Sequence, residues 1–216
     1  MTATIDSLMQ LRRFDDAIAF IEATADEHPS MRTLHLNLGY AYGSKGDHDA
    51  AIKHFEEELK LDSQSWLALS LLGQAYENGG DPEKALGYFE SWSEMQPERW
   101  EPHYRVGRAC YELGRMDCAR AAFDKGLELN PGSADLLVGK GKIQMADGNL
   151  EEAKRTFSSA FLADAANPDV NYNLGQVLIR LGDVEQGERV LEQFRKLSEQ
   201  QEEVDFLRQS RDVSGG

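Results

Sequence analysis

The sequence predicts an all-α protein, an α-solenoid of stacked antiparallel helical hairpins. Three observations support this prediction. Glycine recurs every 34 residues, the apolar residues between those glycines follow a helical spacing, and no stretch alternates long enough to indicate a β-strand. The recurring glycines form two series: Gly39, Gly73, Gly107, Gly141 and Gly175, then Gly46, Gly80, Gly114, Gly148 and Gly182.

An alanine and a large apolar residue keep the same period. The alanine series is Ala17, Ala51, Ala85, Ala119 and Ala153, and the apolar series is Ile21, Phe55, Phe89, Phe123, Phe157 and Leu191. Proline recurs less regularly, at Pro29, Pro97 and Pro131. Several positions locked to one period indicate an internal repeat, in which each unit buries its apolar face on its neighbours.

Each repeat reads as two helices joined by a glycine turn. In residues 66–99, the first helix carries an apolar stripe at Leu69, Leu72 and Tyr76, and the second carries Leu86 and Phe89. The segment "NGGDP" lies between them and supplies a C-cap glycine followed by a polar residue that starts the next helix. Each unit is therefore predicted to be a helical hairpin.

The stretch "LLGQAYENGGDPEKALGYF", followed by Pro97, closely resembles the tetratricopeptide repeat (TPR). The resemblance covers about residues 4 to 201 and implies a right-handed TPR superhelix. It also places the early glycine and the later alanine where the two helices of a hairpin cross. Gly39 and Ala51 are thus expected to form a contact pair, which explains why a helix accepts glycine at a cost of about 1 kcal/mol.

The repeat boundaries follow from this alignment. A truncated repeat occupies 1–31, and five full repeats occupy 32–65, 66–99, 100–133, 134–167 and 168–201. The last helix is expected to continue to near residue 208, so that 202–210 forms a capping extension and 211–216 a flexible tail. One residue departs from the pattern, because Lys140 stands where other repeats have leucine or valine. It must snorkel to solvent or find a carboxylate.

Composition limits the partners. The 216 residues carry a net charge of −15, which argues against nucleic-acid backbones and anionic membrane surfaces. No apolar run approaches the ~18 residues that a membrane span needs, and the N-terminus lacks the pattern of a signal peptide. We therefore expect a cytoplasmic protein. Cys110 and Cys118 make no disulfide framework, and Cys110 is interpreted as a buried, inert thiol because it replaces the tyrosine of other repeats.

We find no pattern typical of an active site, a metal site or a cofactor site. The five histidines show no i, i+4 pair and no cysteine at ligand spacing. The segment "GKGK" at 139–142 lacks the strand and the Ser or Thr of a phosphate-binding loop, and its Gly141 is the repeat glycine. The sequence therefore predicts a protein that is not an enzyme and binds no cofactor or metal.

The resemblance implies a concave groove lined by the first helix of each hairpin. Tyr104, Arg108 and Tyr111 agree with this independently, because their i, i+4, i+7 spacing puts them on one helix face. The central groove positions carry arginine and lysine, whereas the nearby carboxylates are placed nearer the helix ends. The candidate partner-binding residues are Asn37, Tyr40, Gln74, Asn78, Tyr104, Arg105, Arg108, Tyr111, Lys142, Tyr172, Asn173, Gln176 and Arg180.

Tyrosines, amides and arginines in these positions favour an extended peptide of a partner protein, with acidic or phosphorylated groups on it. The simpler interpretation is that they are ordinary exposed side chains. The adaptor hypothesis has two alternatives. One is a structural protein that self-associates through its terminal helix, where Leu191, Phe194, Leu197, Val204 and Leu207 form an apolar stripe. The other is the regulatory portion of a larger enzyme.

Overall fold

A computed structural model describes residues 2–27 and 34–214, with side chains described at 4–24 and 34–200. Within these ranges the chain forms twelve α-helices and no strand, so the predicted all-α class is confirmed. The helices are α1 (Thr2–Gln10), α2 (Phe14–Glu27), α3 (Leu34–Lys45), α4 (His48–Leu61), α5 (Trp66–Asn78), α6 (Pro82–Met95), α7 (Trp100–Glu112), α8 (Met116–Leu129), α9 (Ala134–Ala146), α10 (Leu150–Ala163), α11 (Pro168–Arg180) and α12 (Val184–Ser214). Among the described residues, no helix combines the length and the apolar character that crossing a bilayer requires.

The chain divides into two compact units, 1–97 and 98–216. In the first unit each helix from α1 to α6 packs on the next, and in the second unit the same holds from α7 to α12. Within the second unit the first helices of successive hairpins also touch, α7 with α9 and α9 with α11. That contact places three first helices side by side.

The helix ends have simple causes. At the start of α4, α5, α6, α9 and α11, a short polar side chain accepts a hydrogen bond from a backbone N–H of the first turn. After each first helix from α3 onward, a glycine adopts a left-handed conformation with φ between 71° and 92°. In the truncated repeat the same position is held by Arg12, which has a φ of 53°. A residue with a Cβ is strained in that conformation.

Four of the five recurring helix glycines lie against a phenylalanine ring, and Gly175 lies against Leu191. A Cβ built on Gly107 would stand 2.5 Å from Cε1 of Phe123, and one built on Gly141 would stand 2.5 Å from Cε1 of Phe157. The nearest neighbour of Gly39 is the Phe55 ring, and the expected partner Ala51 has its Cβ 3.6 Å from a Cβ built on Gly43, one turn along the same helix. The phenylalanine follows the alanine by one turn on the same helix face, and its ring fills the space that the glycine leaves.

Two other expectations have an outcome. Lys140 does find a carboxylate, since its Nζ lies 2.7 Å from Oδ1 of Asp124 on the preceding helix. The last helix continues to Ser214, beyond the expected end near residue 208. No glycine or proline interrupts 188–214, so nothing in the sequence stops the helix there. Val204 and Leu207 of the expected apolar stripe lie outside the range in which side chains are described.

We expect Arg12→Gly to stabilise the protein by about 1 kcal/mol, because glycine removes the strain of a left-handed arginine. Urea unfolding followed by circular dichroism measures the change. Arg12→Ala is the matched control, since it removes the contact between the guanidinium and the Phe14 ring (5.6 Å) but keeps a Cβ. A midpoint that rises equally for both variants would contradict the strain argument.

Two glycines of one hairpin should respond oppositely to alanine. A Cβ at Gly73 would collide with the Phe89 ring, so Gly73→Ala should destabilise the protein by about 1–3 kcal/mol. Gly87 lies in α6 with nothing within 4 Å of such a Cβ, so Gly87→Ala should stabilise it by up to about 1 kcal/mol. Thermal unfolding of both variants checks this, and shifts of the same sign would contradict it.

Candidate functional site

The three adjacent first helices of the second unit carry two adjoining cavities, the first of about 310 Å³ and the second of about 330 Å³. The second cavity lies toward the C-terminal ends of the helices. Tyr111 and Lys142 line both cavities, so the two form one continuous depression, which we call the groove. The first cavity is also lined by Tyr104, Arg108, Glu112, Phe123, Asp135, Val138, Gly139 and Asp169, and the second by Met145, Ala146, Asn173 and Arg180.

The repeat arranges the groove in rows. Residues 34 apart occupy equivalent positions on α7, α9 and α11, so each row takes one residue from each helix. Along a single helix, i, i+3 and i+7 share a face, as Asp135, Val138 and Lys142 do on α9. Asp135 and Asp169 therefore form one row, which we call the acidic row, and it lies two turns from the row that contains Arg108 and Lys142.

Position 139 in the lining of the first cavity is a glycine. The equivalent positions in neighbouring repeats hold Arg105 and Asn173, whose side chains would occupy this space. The Phe123 ring lies beneath, so close that a Cβ on Gly139 would stand 2.5 Å from its Cε1. The interpretation of "GKGK" explained Gly141 as the repeat glycine but gave no reason for Gly139. The sequence did contain a signal for it, because other repeats have larger residues at the position of Gly139.

Arg108 is engaged within its own helix. Its Nη2 lies 3.6 Å from Oε1 of Glu112, and its Cζ lies 5.8 Å from the centre of the Tyr104 ring. Burial raises the pKa of Tyr104, so its hydroxyl stays protonated and able to donate a hydrogen bond. These two residues form the polar α7 side of the groove.

Charges of both signs stand unpaired in the groove. Among the described side chains, Lys142, Asp135 and Asp169 form no ion pair within 4.0 Å. Asp135 does accept a hydrogen bond of 3.3 Å from Nδ2 of Asn167. Asp135 and Asp169 do lie near the ends of their helices, but they also line the first cavity, because residues one or two turns apart on one helix face can reach the same cavity.

Of the other candidates in the second unit, Asn173 and Arg180 line the second cavity, and the remaining three line neither cavity. Asn173 is buried and its Nδ2 donates to the backbone oxygen of Asp169 at 2.6 Å, while Arg180 is exposed at the end of α11. Tyr172 lies 5.5 Å from the ring of Phe194 on α12 and outside both cavities. Arg105 and Gln176 also lie outside both linings.

The candidates in the first unit do not gather around one cavity. Tyr40 is exposed and lines a shallow depression of about 420 Å³ with Met9 and Phe14. Gln74 donates to the backbone oxygen of Ser70 at 3.3 Å and so bonds within its own helix. Asn37 is half-buried on α3 and Asn78 is exposed at the end of α5.

Cys110 and Cys118 form a disulfide, with Cα atoms 5.8 Å apart. The interpretation of Cys110 as a free thiol is therefore wrong. The two residues face each other across the turn between α7 and α8, a separation that permits the bond. The disulfide joins the helix that carries Tyr104 and Arg108 to the helix that carries Phe123.

A histidine pair, which the spacing search missed, connects α3 and α4. Nδ1 of His35 lies 3.2 Å from Nδ1 of His54, and the Tyr42 ring stacks on His54 at 5.5 Å. Burial, followed by the charges of His35 and Lys53, lowers the pKa of His54. Within the described part of the chain, no third His, Cys, Asp or Glu joins the pair as a possible metal ligand.

Several solved structures are similar to this chain in fold. YrrB, described as a TPR protein with an unusual peptide-binding site, shares 20% identity with a TM-score of 0.62, over 82% of this chain and 91% of that one. TTC0263, a thermophilic TPR protein of Thermus thermophilus, shares 22% identity with a TM-score of 0.64, over 83% of this chain and 96% of that one. MamA of Desulfovibrio magneticus RS-1 shares 19% identity with a TM-score of 0.67, over 78% of this chain and 96% of that one. At these identities the likeness shows the fold alone.

No curated protein matches the sequence. Two family models do match it, and both are described as tetratricopeptide repeat. The first matches residues 2–65, 36–99 and 70–134, and the second matches 111–165 and 144–208. Because these matches extend over nearly the whole chain and agree with its paired helices, the chain belongs to the tetratricopeptide repeat family.

Proposed function

We propose that this protein is a non-enzymatic adaptor that binds an extended peptide segment of a partner protein in the groove. Proteins of the TPR family typically serve as protein-interaction modules, which supports the general role. The observation that carries the specific proposal is the groove itself, a continuous depression across three helices that combines tyrosines with unpaired charges. YrrB, with the same fold, is described as having a peptide-binding site.

The residue types of the groove suit a peptide. Tyr104 and Tyr111 offer large, stiff rings that lose little conformational entropy on binding, and each ring also carries a polar hydroxyl. Val138 and Met145 add apolar area between them. Such a surface gains affinity from ring contacts and specificity from its few charged groups.

An acidic or phosphorylated group of the peptide fits the second cavity best. Lys142 and Arg180 line that cavity and no carboxylate does. Neither cation forms an ion pair with a described side chain, so both are available to a ligand. Arginine and lysine bind carboxylates and phosphates through charge-assisted hydrogen bonds. Arg108, which pairs with Glu112, is expected to contribute less.

Self-association through α12 is the second candidate, and the length of that helix favours it. α12 has 31 residues whereas its partner α11 has 13, so much of α12 extends past the hairpin. Light scattering of the full chain and of a 1–198 truncation tests this. We expect a monomer in both forms, and a dimer lost on truncation would favour self-association instead.

Two further expectations stay predictions. The hypothesis that this chain is the regulatory portion of a larger enzyme can be tested by determining the native reading frame. The cytoplasmic location has one observation against it, because disulfides such as Cys110–Cys118 are rare in the cytosol.

We expect Lys142→Glu combined with Arg180→Glu to weaken peptide binding at least about tenfold, because both cations of the second cavity are reversed. Peptides are first selected from a random display library on the full chain, and their affinities are then measured by fluorescence anisotropy. Lys53→Glu with Arg155→Glu is the matched control, since it makes the same charge change at exposed positions of α4 and α10.

The control variant should bind as the unchanged protein does, and both variants should keep the same melting temperature. Peptides that bind the groove variant with unchanged affinity would contradict the assignment of the groove. Equal weakening by both variants would show a general effect of net charge instead.

A further inference from the structure

We propose that the groove selects a peptide segment of mixed charge, with a basic side chain placed beside the acidic row and an acidic side chain beside Lys142. This inference rests on the proposed function and names the kind of ligand that the groove fits. Its basis is charge complementarity between the two ends of one cavity. An acidic ligand alone would leave the carboxylates of that cavity without a partner.

The acidic row is restricted to α9 and α11. Asp135 and Asp169 hold equivalent positions at the second residue of these helices, and both line the first cavity. The equivalent residue on α7 is Glu101, whose Oε1 lies 2.6 Å from Nη2 of Arg99. Because that carboxylate is already paired and lies outside the cavity lining, the opening for a basic side chain is between α9 and α11.

The two charges of α9 are too far apart to neutralise each other. Asp135 and Lys142 are seven residues apart on one helix face, which corresponds to about 10.5 Å along the axis. An extended peptide covers that distance in about three residues. A segment that runs along α9 is therefore expected to carry its basic and acidic side chains about three positions apart.

The surface between the charges suits the stem of a long basic side chain. Val138 lies between Asp135 and Lys142, and the Phe123 ring reaches the same cavity beside Gly139. Lysine and arginine pack their methylene groups on apolar surface while the charged end reaches a polar partner. The acidic side chain takes the opposite end, where Lys142 adjoins the second cavity.

Display selection of random peptides on the full chain, followed by single replacements in the selected peptides, tests this inference. We expect the selected peptides to contain both a basic and an acidic residue. Replacing the basic residue by glutamine should weaken binding about tenfold, the usual effect of one charge-assisted hydrogen bond. That replacement should have no effect on a protein carrying Asp135→Asn and Asp169→Asn.

The matched control is Asp117→Asn with Glu151→Gln, which removes two carboxylates from the first turns of α8 and α10. It should leave the preference for a basic residue unchanged. In the reciprocal experiment, replacing the acidic residue of the peptide should have no effect on a protein carrying Lys142→Gln and Arg180→Gln.

The outcomes separate this inference from the proposed function. Peptides that lose affinity for the Lys142→Glu, Arg180→Glu variant but bind the Asp135→Asn, Asp169→Asn variant equally or more tightly would overturn the mixed-charge inference and leave the adaptor proposal standing. Peptides insensitive to every groove variant, or a selection that enriches none, would overturn both.

Discussion

The close contact between a helix glycine and a phenylalanine ring is the constraint on which the rest of the structure depends. In the second unit, the Phe123 ring on α8 lies against Gly107 on α7 and also against Gly139 on α9. One ring therefore sets the approach of two first helices. A larger residue at either glycine would meet the ring, and a smaller residue in place of the ring would leave a cavity in the core.

The groove is a consequence of that packing. Once α7, α9 and α11 lie side by side, equivalent positions of successive repeats form rows, and the chemistry of each row depends on which residue each repeat supplies. The acidic row and the row of Arg108 and Lys142 face one cavity because seven residues return a helix to the same face. Gly139 lets the Phe123 ring come close to α9, and both residues line that cavity.

Three of the contacts that sequence reasoning missed join the two helices of one hairpin. His35 meets His54, Cys110 bonds to Cys118, and Gly39 faces the ring of Phe55. Within a helix, partners are three or four residues apart and a spacing search finds them. Across a hairpin, the separation depends on the turn and on how the two helices cross. The periodicity of the sequence does not give the turn geometry or the helix crossing accurately enough to predict which two side chains meet.

The sequence by itself determined the class of the fold, the helical hairpins and the turn glycines. These features follow from local rules that repeat at 34 residues, such as apolar spacing and the left-handed conformation at Gly46 and its equivalents. Only the tertiary structure decided which charges share a cavity. Asp135 and Asp169 looked peripheral because they lie at the starts of their helices, yet in the packed structure they line one cavity with Lys142. The distance between side chains on different helices is a property of packing, which no single segment contains.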